Sequence, residues 1–249
     1  VVSAVDEATL RASYTTIPAE TKVFSSWTGA LNNAGEHLVL EDKNGTLRAE
    51  VTYNDDGRKW PIAADGAGHS VHLAKANRGG SNWRNWEASR DPDGTPGEPA
   101  STGQALSALL DLSEIHFAPN GELDWVELHA PGDAAVPVDT YFIASLKDFS
   151  DAIPLSGSIT AGGYASWSTT FTTDLAGDIE LYVVDTGGTV IAAQKFTRDL
   201  GQEGFQSLPV GEEWFGGPGH TRDAANNPTD RNTDLVINVA LEGQPGYGA

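Results

Sequence analysis

LVLEDKNGTLRAEVTY (residues 38–53) and LYVVDTGGTVIAAQKF (residues 181–196) decide the fold class. They align without a gap at an offset of 143 residues, with Leu38, Asp42, Gly45, Thr46 and Ala49 matched by Leu181, Asp185, Gly188, Thr189 and Ala192. Each reads as an apolar strand, a tight turn and a second strand. Leu38, Leu40 and Asp42 alternate at the two-residue period of a strand. Asn44-Gly45 and Gly187-Gly188 are predicted to supply the positive φ of primed hairpin turns.

Working outward, the match extends upstream across a short gap. Ser26-Trp27 corresponds to Ser166-Trp167, Leu31 to Phe171, and Ala34-Gly35-Glu36 to Ala176-Gly177-Asp178. This is a repeat on the scale of a domain. Turn-rich segments close both copies, DPDGTPGEPAS at 91–101 and GHTRDAANNPTD at 219–230. We therefore expect an all-β chain of two tandem β-sandwich domains, residues 1–100 and 109–230, with a boundary near 101–108. A short helical turn is predicted at 103–109 and a short helix at 5–13, with Asp6 as its N-cap.

The copies begin unequally. The second opens with the strand-like run LLDLSEIHF from Leu109, well upstream of Trp167, whereas Trp27 lies close to Val1. The first copy is thus expected to lack its opening strands. DLVINVAL (234–241) reads as a trailing strand within 231–249 and echoes DLSEIHF (111–117). The chain reads as a window that opens late in one module and closes early in a third.

Composition narrows the function classes. The 35 acidic residues against 15 basic ones give a formal net charge of −20. That charge repels phosphate backbones and anionic lipid, which speaks against nucleic-acid and membrane-surface partners. No apolar run reaches the length of a membrane span. The absence of cysteine excludes disulfides and thiolate-bound zinc. Such an acidic surface suits a solvated secreted protein, or one that gathers Ca²⁺ at clustered carboxylates.

The runs WTGALNNAGEHLVLEDKNG, VTYNDDGRKWPIAADGAGHSVHL, NWEAS and DGTPG in the first copy resemble the lamin tail domain. So does LSEIHFAPNGELDWVELHAPG in the second. The similarity covers most of residues 20–100 and 109–227. The second copy departs from it, lacking the WPIAADG segment and carrying TRDAANN where the first has TPG. The resemblance implies immunoglobulin-like sandwiches, found in bacteria as tandem modules of large secreted or cell-surface proteins. It implies a structural or interaction role rather than catalysis, and an extracellular location.

Candidate sites are few. Glu114-Ile115-His116 and Glu127-Leu128-His129 are two E-x-H pairs, each on one strand face. If their strands pair antiparallel, four side chains could converge on a divalent metal such as Zn²⁺. The alternative is that both glutamates make backbone or cap contacts. Asp91 and Asp93, Asn54–Gly57 and Asp223–Asp230 are oxygen-rich loops that would suit Ca²⁺, although Asp and Asn also simply favour turns and no EF-hand pattern is complete. No cofactor is required by anything in the sequence. Trp83, with Arg84 and Asn82 beside it, and Trp214 are candidate sugar-stacking platforms, with core packing the alternative. Gly68-His69-Ser70 resembles part of a nucleophile elbow, but His72 stands where that turn needs glycine.

These features order three functions. The first is a non-catalytic structural or assembly module that polymerises by strand addition, segment 234–241 of one chain or of a neighbour completing the first sandwich of the next. The second is a carbohydrate- or matrix-binding accessory module of a larger secreted enzyme. A metal-dependent enzyme comes last, because no complete catalytic constellation is visible.

Overall fold

The computed structural model describes residues 1–25, 27–55, 59–74, 79–98, 109–173, 176–199, 202–207, 214–217 and 220–227. The boundary at 101–108, all but the last residue of the helical turn at 103–109, and the strand at 234–241 lie outside them. Among the described residues the chain is all-β apart from one α-helix and two short 3₁₀ turns.

Strands β1 (Val2–Ser3) and β2 (Phe24–Ser25) pair in parallel on either side of helix α1 (Glu7–Ser13). The helix starts where the sequence puts its cap, with the Asp6 carboxylate accepting from Thr9 N at 3.0 Å. At its far end Arg11 donates to the carbonyls of Ile17, Pro18 and Thr21, tying the following loop to the helix. β3 (Gly35–Glu41) and β4 (Leu47–Asn54) form the first hairpin, and β5 (Val71–Leu73) pairs with β6 (Trp86–Ala88).

The second half supplies β7 (Asp111–Phe117), β8 (Leu123–His129), β9 (Val136–Pro137), β10 (Tyr141–Ala144), β11 (Ile153–Pro154), β12 (Ser158–Ile159), β13 (Tyr164–Ser168), β14 (Gly177–Asp185), β15 (Val190–Arg198), β16 (Gly204–Ser207) and β17 (Trp214–Gly217). One sheet runs β13-β8-β7-β16-β17 and the other β11-β10-β14-β15, with β9 and β12 as a separate pair. Inward-facing residues of β7 and β8 (Leu112, Ile115, Phe117, Val126, Leu128), brought into phase by a bulge at Ser113, meet Leu181, Val183 and Phe196 of the other sheet in one buried cluster. Two sheets facing across a shared core make this half a β-sandwich.

The first half, among the described residues, contains only two-stranded pairs. Its buried Ile62, Ala63 and Ala67 join Tyr182, Val184 and Val190 on the outer face of β14–β15, so this half packs on the sandwich from outside. Polar contacts reinforce that seam. His69 Nε2 accepts from Val190 N at 3.0 Å, and Lys147 Nζ reaches Asp65 at 2.6 Å.

The two repeat hairpins, β3–β4 and β14–β15, are alike in detail. Each turn closes with a backbone bond from residue four to residue one (Gly45 N to Asp42 O; Gly188 N to Asp185 O), then a bond from the aspartate N to the threonine carbonyl. Only the second glycine-position residue is left-handed, Gly45 at φ +76° and Gly188 at φ +84°. Asn44 and Gly187 are not, so these are three-residue loops ending in a glycine bulge, in place of the primed two-residue turns expected. The aspartate makes the same side-chain bonds in both: Asp42 Oδ1 accepts from Asn44 N and Thr46 N, Asp185 Oδ1 from Gly187 N and Thr189 N. The register also breaks at equivalent places, between Leu40 and Glu41 and between Val183 and Val184.

Candidate functional site

The hairpins differ in what covers them. On β14–β15, Leu181 and Val183 face the opposite sheet, Tyr182 and Val190 face the first half, and all four are buried. β10 pairs with the free edge of β14. Three of the four matched positions on β3–β4 are open and the fourth, Leu38, is half-buried: Leu40 is 56% exposed, Val39 48% and Leu47 51%, and no further strand pairs with either edge among the described residues. Strand alternation places Leu38, Leu40, Ala49, Val51 and Tyr53 on the face that corresponds to the inner face of β14–β15. Leu38, Val51 and Tyr53 line a groove of about 380 Å³, closed on its other side by Trp60, Pro61, Val71 and Trp86. The Trp60 and Trp86 rings lie 5.8 Å apart, tilted at 44°. Asn32, Asn54, Asp55 and Asp65 add polar groups to the lining.

The second site is the outer face of the five-stranded sheet. β7 and β8 do pair antiparallel, in a register that sets Glu114 opposite Glu127. The same register sets His116 opposite Trp125 and His129 opposite Asp111. The two histidines therefore lie at opposite ends of the strand pair, beyond a shared coordination sphere. The four-ligand convergence expected from the sequence does not form, and among the described residues no three His, Asp or Glu side chains are grouped as metal ligands.

What the register builds is a buried carboxylate pair under a strap. Glu114 and Glu127 are 1% and 0% exposed. Residues 220–227 cross over them. Glu114 accepts from Thr221 N and Thr221 Oγ1 and from Gln206 Nε2; Glu127 Oε2 accepts from Asp223 N at 2.5 Å. Asn226 Nδ2 donates to the carbonyls of Ser113 and Ser207. Arg222 lies over the Trp125 ring and donates to Ser166 Oγ, and His220 packs against His116. The glutamates thus make the backbone contacts that were the alternative to metal binding. Glu127 Oε1 is buried without a hydrogen-bond partner. Burial pushes the Glu127 carboxyl up to about 7, helped by the charges of Glu114 and Asp223 and opposed by Ser113 and the Asp223 N–H. Burial likewise raises Asp111 to about 6 and lowers the neighbouring His129, so that although their side chains lie 3.8 Å apart, desolvation favours the neutral form of each.

No family model, curated protein or solved structure matches this chain.

The remaining candidates are placed as follows. Arg84 lies 4.4 Å above the Trp83 ring and occupies one face of it. Trp214 packs edge-on to Phe196 at the margin of the core, at 4.7 Å between ring centroids. Asp91 and Asp93 shape a turn: the Asp91 carbonyl accepts from Ser89 Oγ, Asp93 N donates to Gly68 O, and Asp93 is left-handed at φ +66°. His69 is buried, its Nδ1 bonded to Ser89 O and its Nε2 accepting from Val190 N. Both ring nitrogens are engaged by backbone, so His69 is a rivet and has no nitrogen left to activate Ser70. Sequence reading missed this rivet, and it missed Thr221 and Asn226, whose partners lie about a hundred residues away.

Proposed function

We propose that this chain is a non-catalytic structural or assembly module of a bacterial surface or secreted protein, built from lamin-tail-like repeats. It acts by receiving a protein segment on the β3–β4 hairpin. One observation carries the reading: two hairpins identical in turn, bulge and aspartate bonding differ in that one is buried on both faces and the other is largely open, one face bordering a groove. An apolar strand face whose edges no further strand joins among the described residues is a template for strand addition. The lamin-tail resemblance and the acidic composition support an extracellular setting. Among the described residues no helix is long and apolar enough to cross a membrane.

The groove itself favours a second reading. Tyr53, Trp60 and Trp86 with Asn32, Asn54 and Asp55 combine aromatic and amide groups in the manner of a sugar-binding cleft, as an accessory module would need. Sedimentation velocity of the chain across a hundredfold concentration range, followed by negative-stain microscopy, tests the first reading. Concentration-dependent oligomers or filaments are expected. A monodisperse monomer throughout would refute assembly, and a glycan panel then tests the second.

A further inference from the structure

The sandwich contains its own answer to what covers the bare hairpin. Over the inner face of β14–β15 lies β7, whose Leu112, Ile115 and Phe117 share a buried cluster with Leu181, Val183 and Phe196. The matched inner face of β3–β4 has Leu38, Leu40 and Tyr53 at those three positions; Leu38 and Tyr53 border the groove and Leu40 is exposed beside it. Whatever fills the groove should therefore be an extended segment with one continuous apolar face. The sequence contains one such segment outside the described residues, Asp234 to Leu241 (DLVINVAL), which begins with the same Asp-Leu as β7. In an extended conformation Leu235, Ile237, Val239 and Leu241 fall on one face and Asp234, Val236, Asn238 and Ala240 on the other. That gives four branched apolar side chains in a row, matching a groove walled by Leu38, Val51, Trp60 and Trp86.

We infer that the groove between the β3–β4 hairpin and the Trp60–Trp86 pair is the acceptor site for residues 234–241 of a second copy of this chain. The inference rests on the assembly reading and names its partner segment. Because one copy gives the segment and the next accepts it, the contact is head to tail and propagates. The chains carry a formal charge of −20 each, so association is expected to strengthen as salt screens their repulsion.

Two variants separate the donor from the acceptor. Ile237→Asp places a charge on the apolar face of the donor. Leu38→Glu changes a groove-lining residue that is only half-buried, so the hairpin fold is retained. Each variant alone should self-associate at least about thirtyfold more weakly than the native chain, since a charge buried at the centre of an apolar contact is strongly opposed. Mixed together, they should form a heterodimer that does not grow, because one intact donor and one intact acceptor remain. Asn238→Asp, on the opposite donor face, should leave association unchanged. Native self-association that survives Ile237→Asp overturns this inference and leaves the assembly reading standing. A native chain that never self-associates overturns both. Failure of the mixture to pair, with both single variants monomeric, overturns the head-to-tail assignment.

Discussion

Replacing Glu127 with glutamine should stabilise the protein above neutral pH and remove part of its pH dependence. Glu127 is fully buried and its carboxyl is raised to about 7 from 4.5. The native state therefore keeps a proton that the unfolded chain releases. Its stabilising contribution is complete below about 4.5, declines as the pH rises, and is lost once the pH passes about 7. A gap of about 2.5 pH units corresponds to about 3 kcal/mol. Asp111, raised to about 6 by burial, acts in the same direction over a lower window. Glutamine carries no charge, and its side-chain oxygen can still accept the Asp223 N–H that Glu127 Oε2 accepts now. At pH 8 Glu127→Gln is expected to raise the Tm by about 6–12 °C. At pH 4.5, where native Glu127 is itself neutral, the two proteins should melt within a degree or two of one another. Thermal melts by circular dichroism at pH 4.5, 6, 7 and 8 read this directly. The native protein should lose stability between pH 6 and 7 and the variant should not. A variant that tracks the native protein across the series, or melts below it at pH 8, would show that the strap and Ser113 hold an ionised Glu127 at no cost.

The strap and the seam make separate predictions. Asn226→Ala removes the donor to the Ser113 and Ser207 carbonyls and should cost about 2–3 kcal/mol in urea unfolding, with amide exchange at residues 221–223 rising first; unchanged exchange there would mean that Thr221 anchors the strap alone. His69→Ala leaves the Val190 N–H and the Ser89 carbonyl buried without partners and should cost about 2–4 kcal/mol, measured as a fall in the urea midpoint, whereas an unaltered midpoint would show that the first half contributes nothing to the sandwich.

Legibility in the sequence followed the range of the interactions. The N-cap at Asp6 and both hairpins were readable because their hydrogen bonds span two to four residues. The turn type was misread because Asn-Gly and Gly-Gly permit two positive φ values, while Asp42 and Asp185 fix a type I turn by accepting two backbone bonds each. The antiparallel pairing of the E-x-H strands entered only as a condition, and its register could not be read: Ser113 and Asp124 fall at bulges, and a sequence gives no register until the bulges are placed. That register separates His116 from His129 and joins Glu114 to Glu127. The strap was invisible because Thr221 and Asn226 look like turn residues, and only the sandwich brings them over the carboxylates.

The comparison of the two hairpins also bears on how the proposed acceptor site would persist without its occupant. A strand pair that depended on its facing sheet for order would be lost when that sheet was missing. In β3–β4 the turn is held by Asp42 alone, through two backbone bonds and the Arg48 guanidinium at 2.6 Å, and the Asp42 carboxyl is held below its usual range chiefly by those backbone bonds. Tyr53 Oη donates to the Asn32 carbonyl across the far end of the hairpin. Both ends are therefore fixed by local polar bonds, while between them Leu38 is half-buried and Leu40 exposed. A surface ordered before it binds loses less conformational entropy on binding, so a short donor segment can suffice. The twin hairpin bears the same turn bonds although its faces are buried, which indicates that the turn chemistry belongs to the hairpin itself and the burial to its surroundings.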